Sequence, residues 1–225
     1  MNGNNDSVEL KPGITPVSLL ESIPAVKIAQ FLSRCERDAL YTVACANQPA
    51  FHQTGEPGSD TGGSFYLSLD SNGCDRPGVA PVREAAKLLS KRILEIIPSL
   101  FTALDIEPFA VSEVPMTLLN GLDGHFGLPH ADSYDDRFRI SLVYYFHRAP
   151  KAFRGGDLEF YDVDTASPQG YSDKPLATLA QEDNLLIAFP SQTFHGITNV
   201  RCDSDDFADG RFAAVMFLGA QGTQY

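Results

Sequence analysis

The sequence has no hydrophobic run long enough to cross a membrane. Its longest apolar stretches, 185–189 and 212–218, are far shorter than the roughly 20 residues that a transmembrane helix needs. The first residues, Met1-Asn-Gly-Asn-Asn-Asp, carry neither the basic start nor the apolar core of a secretory signal. We therefore predict a cytoplasmic protein that does not associate with membranes.

Basic residues are also scarce. The chain has 17 Lys and Arg against 29 Asp and Glu, which gives a formal net charge of −12. Proteins that bind phosphate backbones need clusters of Lys and Arg, so this balance argues against nucleic acid as a partner.

Paired cysteines are missing as well. The four cysteines are widely separated, and no Cys-x-x-Cys pair could form half of a zinc site. We predict that Cys35, Cys45, Cys74 and Cys202 are free thiols.

What is present suggests one compact domain. A length of 225 residues with 43% apolar residues suits a single core, so we predict a flexible leader over 1–15 and one domain over 16–225. Apolar residues at helical spacing predict a first helix from Pro24 and a second over 82–100, ended by Pro98. A long loop over 48–81 should contain a strand at 64–69. Residues 16–104 would thus form a helical support.

After Leu104 the pattern changes to short runs of β-branched and aromatic residues separated by turns. Eight strands are predicted, and they indicate a mainly β, α+β fold, an antiparallel barrel or double-sheet jelly roll with its core over 105–220. The predicted strands are 109–119, 126–131, 138–147, 157–162, 175–180, 184–189, 194–200 and 211–218.

Three residues could hold a metal ion. His130 and Asp132 are two positions apart, so in a strand both side chains would lie on the same face. His195 follows another strand, and barrel closure could bring it opposite His130. Two imidazoles and one carboxylate form the facial site of non-haem iron, with positions left open for other ligands. A lone His-x-Asp is a weak signal, however, and His195 alone would be expected to be an ordinary hydrogen-bonded residue.

Arg211 strengthens the case because it begins the last strand on the same side as Ala213, Val215 and Phe217. A guanidinium at the head of an apolar face needs an anionic partner, and its geometry matches a carboxylate. A dicarboxylic cosubstrate would provide one. The alternative is a surface arginine, or one paired with an acidic residue of the 203–209 loop.

From about Leu128 to Leu218 an ordered set of segments resembles the 2-oxoglutarate and iron(II)-dependent oxygenase superfamily, in particular its prolyl 4-hydroxylase-like branch. The segments are Pro129-His-Ala-Asp132, Arg139-Ile-Ser-Leu-Val-Tyr-Tyr-Phe146, Phe153-Arg-Gly-Gly-Asp-Leu158 with Phe160-Tyr161, Phe189-Pro190-Ser191 before His195, and Gly210-Arg211-Phe-Ala-Ala.

The resemblance implies a cupin-like double-stranded β-helix with Fe(II) bound by His130, Asp132 and His195. It also implies 2-oxoglutarate and O2 as cosubstrates, with the far carboxylate of 2-oxoglutarate held by Arg211, and ascorbate as a candidate accessory. Halogenating members lack the carboxylate ligand, so Asp132 favours hydroxylation. The expected reaction hydroxylates a C–H bond of a small molecule or peptide, such as a prolyl residue or a free amino acid, and releases succinate and CO2.

Two departures from the family pattern stand out. The His195 to Arg211 spacing is long because of an insertion over 201–209, which makes Arg201 a rival for the cosubstrate. Many relatives place a tyrosine on the strand before His-x-Asp, but Met116-Thr-Leu-Leu119 stands here. Tyr144 or Tyr145 could replace it.

The pocket walls are less defined. His125 and Ser133 are candidate pocket residues, within the segments 121–127 and 133–136, and with 48–81 these segments are candidates for a lid. Two other functions stay open: a barrel that binds a metal or ligand without turnover, and an iron dioxygenase that does not use 2-oxoglutarate.

Overall fold

The computed structural model describes residues 15–18, 24–54, 64–69, 76–111, 114–133 and 137–219. Most of the predicted leader, part of the 48–81 segment, residues 134–136 and Cys74 lie outside these ranges. The strands are β1 (Thr15–Ser18), β2 (Pro24–Ala29), β3 (His52–Thr54), β4 (Ser64–Ser68), β5 (Met116–Gly121), β6 (Gly127–His130), β7 (Ile140–Phe146), β8 (Phe153–Arg154), β9 (Leu158–Phe160), β10 (Ala177–Leu179), β11 (Leu185–Pro190), β12 (His195–Ile197), β13 (Arg201–Cys202) and β14 (Arg211–Leu218). The helices are α1 (Arg34–Ala46) and α2 (Val79–Ala103), and short 3-10 turns lie at Gln48–Ala50 and Phe207–Asp209.

Two antiparallel sheets face each other. The larger has the order β1-β2-β11-β7-β14-β5-β4-β3, the smaller has the order β10-β9-β12-β6, and β13 pairs with β8 in a separate ribbon. An inner core between the sheets contains residues of both, including Tyr145, Phe160 and Phe189. The outer face of the larger sheet packs against α1 and α2 in a second core. The predicted mainly β architecture with two supporting helices is therefore present.

Alternation along β14 sorts its side chains between these cores. Ala213 lies in the inner core, whereas Phe212 and Ala214 lie in the outer one. Successive side chains in a strand point to opposite faces, so Arg211 shares the inner face with Ala213, as predicted. This phase decides which residues of β14 can reach the barrel interior.

The predicted start of the first helix, at Pro24, was wrong. Residues from Pro24 form β2, which pairs with β11, and α1 begins only at Arg34. Ser33 and Glu36 form a capping box, in which each side chain accepts a hydrogen bond from the other residue's backbone N–H. The apolar positions before Ser33 fit a helix and a strand equally well, and pairing with the open edge of β11 selects the strand.

The second helix is longer than predicted, because Pro98 lies inside α2 rather than at its end. Proline lacks the N–H that would bond to the carbonyl four residues earlier, at Leu94. Leu94 is on the exposed side of the helix, where water can satisfy that carbonyl. Among the described residues, no helix is both long and apolar enough to span a bilayer.

The region predicted as a helical support also supplies β1 to β4, which extend both ends of the larger sheet. The eight predicted strands are all present, mostly with shorter bounds, and the first begins at Met116 rather than near residue 109. Asp105 has a left-handed backbone, with a φ of 52°, and Pro108 and Pro115 have no N–H to donate. These three residues disfavour strand pairing where they stand before β5.

Asn184 fastens the N-terminal segment to the barrel. Its side-chain oxygen accepts hydrogen bonds from the Leu32 N–H (2.9 Å) and the Tyr144 hydroxyl (2.8 Å), and its amide donates to the Leu32 carbonyl (2.7 Å). Its φ of 57° is a conformation that Asn tolerates better than most residues. One side chain thus joins the turn before β11, the chain before α1 and strand β7.

We expect Asn184→Ala to lower the free energy of unfolding by about 3 kcal/mol, because it leaves buried polar groups without partners. Asn184→Gly, which relieves the strain of the positive φ, should recover only a minor part of the lost free energy of unfolding. Urea denaturation measures both changes, with Gln169→Ala on the exposed surface connection as a control expected within about 0.5 kcal/mol of wild type. A wild-type midpoint for Asn184→Ala would contradict this role.

Candidate active site

Two histidines face each other across a strand pair of the smaller sheet. His130 at the end of β6 is the register partner of His195 at the start of β12. Directly opposed residues in an antiparallel pair project to the same side, and the two imidazole centroids lie 4.5 Å apart. The predicted approach of His195 to His130 is therefore present.

Asp132 completes a cluster of three potential metal ligands. Its carboxylate oxygens lie 3.5 Å from Nε2 of His130 and 3.5 Å from Nε2 of His195, and one ligand atom from each residue lies within 4.8 Å of the others. The sequence predicted that His130 and Asp132 share one face of a strand, and this was wrong. Strand β6 ends at His130, and Asp132 lies in the turn that follows. The Asp132 and Ser133 N–H groups both donate to the Ser191 carbonyl, which fixes this turn.

Backbone carbonyls set the orientation of both imidazoles. Nδ1 of His130 is 2.8 Å from the Leu128 carbonyl, and Nδ1 of His195 is 2.9 Å from the Thr193 carbonyl. A carbonyl only accepts, so each Nδ1 carries the proton and donates it. Each Nε2 then keeps its lone pair, directed toward Asp132. Ligating histidines are held in this way in metal sites.

A pair of serines holds the carboxylate. Ser141 in β7 donates its hydroxyl proton to Asp132 Oδ2 (2.6 Å), and Ser191 lies 2.9 Å from the same hydroxyl. A hydroxyl has only one proton, so Ser191 donates to Ser141. We did not identify either serine as a site residue from the sequence. The available signal was a serine, Ser141, inside a strand whose other residues are all aliphatic or aromatic.

The electrostatics of the cluster favour an ionised carboxylate beside a neutral imidazole. Burial opposes ionisation of Asp132, but the adjacent His130 and His195 imidazoles and the hydrogen bond from Ser141 lower its pKa overall. Burial lowers the pKa of His195, and the adjacent Asp132 carboxylate raises the pKa of His130. The His130 side chain is 53% exposed and that of His195 only 7%, so the cluster opens to solvent on the His130 side.

Arg211 lies at the other end of the inner core. It is only 2% exposed, its Nε donates to the Gly156 carbonyl (2.7 Å), and its Nη2 has no hydrogen-bond partner. Among the described residues no carboxylate forms an ion pair with it. These contacts argue against both a surface arginine and a pair with the 203–209 loop. Asp157 acts on this charge from beyond ion-pair distance, and an anionic ligand would give the buried guanidinium a direct partner.

The two glycines of the Gly155-Gly156 turn are required by space and by backbone conformation. Both have positive φ, 67° and 72°. A Cβ on Gly156 would lie 2.4 Å from Cδ of Arg211, and one on Gly155 would lie 2.1 Å from the Asn199 carbonyl oxygen. The turn can therefore press its backbone against Arg211 only because side chains are absent.

The structure distinguishes the two candidate tyrosines. Tyr145 faces the inner core beneath the Arg211 guanidinium, 4.8 Å from ring centroid to Cζ, and its hydroxyl has no partner within ordinary hydrogen-bond limits. Tyr144 lies on the opposite face, stacks on Phe146 and donates to Asn184, so its predicted contact with the cosubstrate was wrong. The alternation along β7 separates the two roles.

Strands in both sheets connect the Arg211 end of the interior with the histidine end. On β7, Tyr145 lies beside Arg211 and Ser141 beside Asp132, about 13 Å apart at the backbone. In the turn just before β9 of the smaller sheet, Gly156 contacts Arg211, and Phe160 in β9, four residues later, pairs with His195. Arg211 and the three clustered residues therefore belong to one interior.

The rival Arg201 lies elsewhere. It is exposed on β13, at an open cleft that also contains Arg148, Lys151 and Arg154. The insertion is anchored by Phe207, which packs on Phe65 and Phe212, and whose carbonyl accepts from Asn120.

The candidate pocket residues differ in placement. Ser133 is buried, and its hydroxyl accepts a hydrogen bond from the Phe138 N–H (3.4 Å), so it helps to close its own loop. His125 is buried near Arg211 rather than at a pocket mouth. His52, expected to be exposed, is exposed on β3.

Comparison with known proteins agrees with this geometry. The family model of the 2OG-Fe(II) oxygenase superfamily matches residues 116–219. This range contains His130, Asp132, His195 and Arg211. Residues 116–219 of this chain are thus similar to the 2OG-Fe(II) oxygenase superfamily. A PKHD-type hydroxylase of Synechocystis sp., itself uncharacterized, is 33% identical over 128 residues, which are 56% of this chain but only 42% of that protein.

Solved structures support the same fold. A Pseudomonas putida prolyl-4-hydroxylase superposes with a TM-score of 0.59 at 14% identity, over 89% of this chain and 94% of the other. A Trichoplax adhaerens prolyl hydroxylase, solved with a peptide fragment of the hypoxia inducible factor oxygen degradation domain, gives 0.59 at 16% identity, over 87% and 83%. The predicted double-stranded β-helix is thereby confirmed. Oxygenases of this superfamily use Fe(II), 2-oxoglutarate and O2, and the donor set and the unbalanced Arg211 fit the first two.

Ser141→Ala should weaken Fe(II) binding about 10-fold to 100-fold, the usual cost of losing a group that orients a metal ligand. Anaerobic competition with a chromophoric chelator would measure this affinity. Ser172→Ala, on the surface connection after β9, is the matched control and should bind as wild type does. Unchanged Fe(II) affinity in Ser141→Ala would remove Ser141 from the site.

Proposed function

We propose that this protein is an Fe(II)- and 2-oxoglutarate-dependent dioxygenase that hydroxylates a C–H bond of a small-molecule or peptide substrate and releases succinate and CO2. One observation carries the proposal. A three-residue metal site and a buried arginine without a counter-ion occupy opposite ends of one barrel interior. A metal-chelating acid with a second, distant carboxylate would satisfy both ends at once.

Each end has a separate task in this proposal. His130, Asp132 and His195 hold the iron through two Nε2 atoms and a carboxylate oxygen, which leaves the solvent-facing side for other ligands. Arg211 pairs with the far carboxylate of 2-oxoglutarate. When bound, the iron and 2-oxoglutarate supply the oxidising chemistry, and the protein supplies position and exclusion of water.

The apolar inner core serves this chemistry by keeping the cosubstrate dry. Phe160 and Phe189 pack beside His195, and both are fully buried. The centroids of the two phenylalanine rings lie 5.1 Å apart. In such surroundings the attraction between Arg211 and a carboxylate is much stronger than in water. Asp132 occupies the ligand position that halogenating relatives leave vacant, so hydroxylation is the favoured outcome.

The two alternative functions account less well for Arg211. A barrel that binds a metal without turnover does not need an inner arginine without a counter-ion, and neither does an iron dioxygenase that works without 2-oxoglutarate. Arg211 and the glycine turn shaped around it favour the proposed enzyme over both.

The substrate class is proposed from the relatives and from charge. One structural neighbour was solved with a peptide of its own, which makes a prolyl peptide a first candidate, with free amino acids second. The net charge of −12 favours neutral or basic substrates over acidic ones.

Replacing Arg211 by Met should weaken 2-oxoglutarate binding by about 100-fold or more, because the far carboxylate loses its buried counter-charge. Calorimetry on the Fe(II)-loaded, oxygen-free protein measures this affinity. Arg154→Met removes an exposed guanidinium of the open cleft and should bind as wild type does.

Asp132→Ala should abolish O2-dependent release of succinate in a screen of prolyl peptides, free amino acids and small metabolites. Equal 2-oxoglutarate affinity in Arg211→Met and wild type, or full succinate release by Asp132→Ala, would contradict the proposal. Binding without any succinate from wild type would favour the non-catalytic barrel.

A further inference from the structure

His125 is a buried histidine that the proposed function leaves without a role. It is 9% exposed, and its Nδ1 has no hydrogen-bond partner. The charge of Arg211 acts on its ring, so both side chains belong to the same buried region. An unpaired nitrogen in a buried pocket costs free energy, so a residue that only filled space would be expected to be apolar.

The ring occupies a space that Gly121 leaves empty. Gly121 is the register partner of Arg211 in the β5–β14 pair, so a side chain there would project to the same face as Arg211. A Cβ on Gly121 would lie 2.3 Å from Nδ1 of His125. His125 therefore approaches Arg211 from the loop after β5, the strand on which many relatives of the resembled family carry a tyrosine and this chain does not.

The backbone around His125 is held firmly. Its N–H donates to the Leu122 carbonyl (3.1 Å), and its carbonyl accepts from the Val200 N–H (2.7 Å). The Gly124 N–H donates to the Val200 carbonyl (2.9 Å), from a conformation with a φ of 83° that suits glycine. The imidazole is thus positioned before any ligand arrives, which reduces the entropy lost on binding.

We propose that His125 is a second ligand of the far carboxylate of 2-oxoglutarate, to which its Nδ1–H donates a hydrogen bond beside Arg211. This inference rests on the proposed function. The Tyr145 hydroxyl, which interacts with the Arg211 guanidinium, is a third donor of the same set.

The charges agree with this assignment. Burial and the charge of Arg211 lower the pKa of His125 to about 4, so the ring is neutral near pH 7. A neutral imidazole can donate one hydrogen bond without adding a second positive charge. One guanidinium and one carboxylate then balance each other.

The test compares two ligands that differ only at the far end. 2-Oxovalerate has the same carbon chain as 2-oxoglutarate and the same metal-binding end, but no far carboxylate. We expect His125→Phe, which keeps a ring and removes the donor, to weaken 2-oxoglutarate binding about tenfold or more and to leave 2-oxovalerate binding unchanged. His125→Asn, whose amide can place a donor near the Nδ1 position, should stay within about threefold of wild type. Calorimetry on the oxygen-free, Fe(II)-loaded proteins measures the affinity of wild type and of both variants for each ligand.

His147→Phe is the matched control, because His147 is also buried with an unpaired ring nitrogen but packs on Phe153. It should bind both ligands as wild type does. Equal weakening of both ligands by His125→Phe would show a structural role and overturn the inference, as would no weakening at all.

Imidazole ¹⁵N NMR of the zinc-loaded wild type covers the case in which the variants do not fold. 2-Oxoglutarate should shift the His125 Nδ1 signal and 2-oxovalerate should not, and an unmoved signal would overturn the inference. Wild type that binds 2-oxoglutarate no better than 2-oxovalerate would instead refute the proposed function. Loss of affinity in Arg211→Met but not in His125→Phe would overturn only the role of His125.

Discussion

The Arg211 guanidinium carries a positive charge inside a barrel whose described residues place no carboxylate within ion-pair distance of it. Much of the surrounding structure can be understood from that constraint. Gly156 has no side chain because the guanidinium stem lies where its Cβ would be, and the Gly156 carbonyl satisfies Nε. Tyr145 supplies an aromatic face to the cation. Burial of the guanidinium alone costs free energy, and an anionic ligand that paired with it would offset that cost.

The other end of the interior is organised by carbonyls and hydroxyls instead of charge. Two carbonyls fix the imidazole tautomers, and Ser141 and Ser191 fix the carboxylate. Both ends rest on β7, which lies in the middle of the larger sheet and is buried along its whole length. The distance between metal ligands and arginine is therefore set by a rigid strand rather than by loops, which suits a site that must hold one ligand by both ends.

The sequence predicted the residues with distinctive chemistry more accurately than their surroundings. His130, Asp132, His195 and Arg211 stood out because residue type, order and strand context agreed. Tyr144 and Tyr145 could not be separated, because β7 is buried on both faces and only its register with β14 fixes the phase.

The misses share a physical cause. His125 was misplaced because its position depends on a missing side chain at Gly121 and on hydrogen bonds to Val200, 75 positions later. The start of α1 was missed because a neighbouring strand, β11, decided between two conformations that the local pattern fits equally. Contacts between distant parts of the chain determined each of these features, and a local pattern does not contain them.

The contrast in exposure between the two ends has a kinetic meaning. Arg211 and its neighbours Gly156, Tyr145 and His125 are all buried, while His130 stands half exposed at the opposite end. In the proposed enzyme, a diacid bound to Arg211 would therefore enter and leave past the metal ligands. A substrate bound over those ligands would block this route. The proposed function thus implies an order of binding, in which the cosubstrate binds before the substrate and its shortened product leaves after the hydroxylated product.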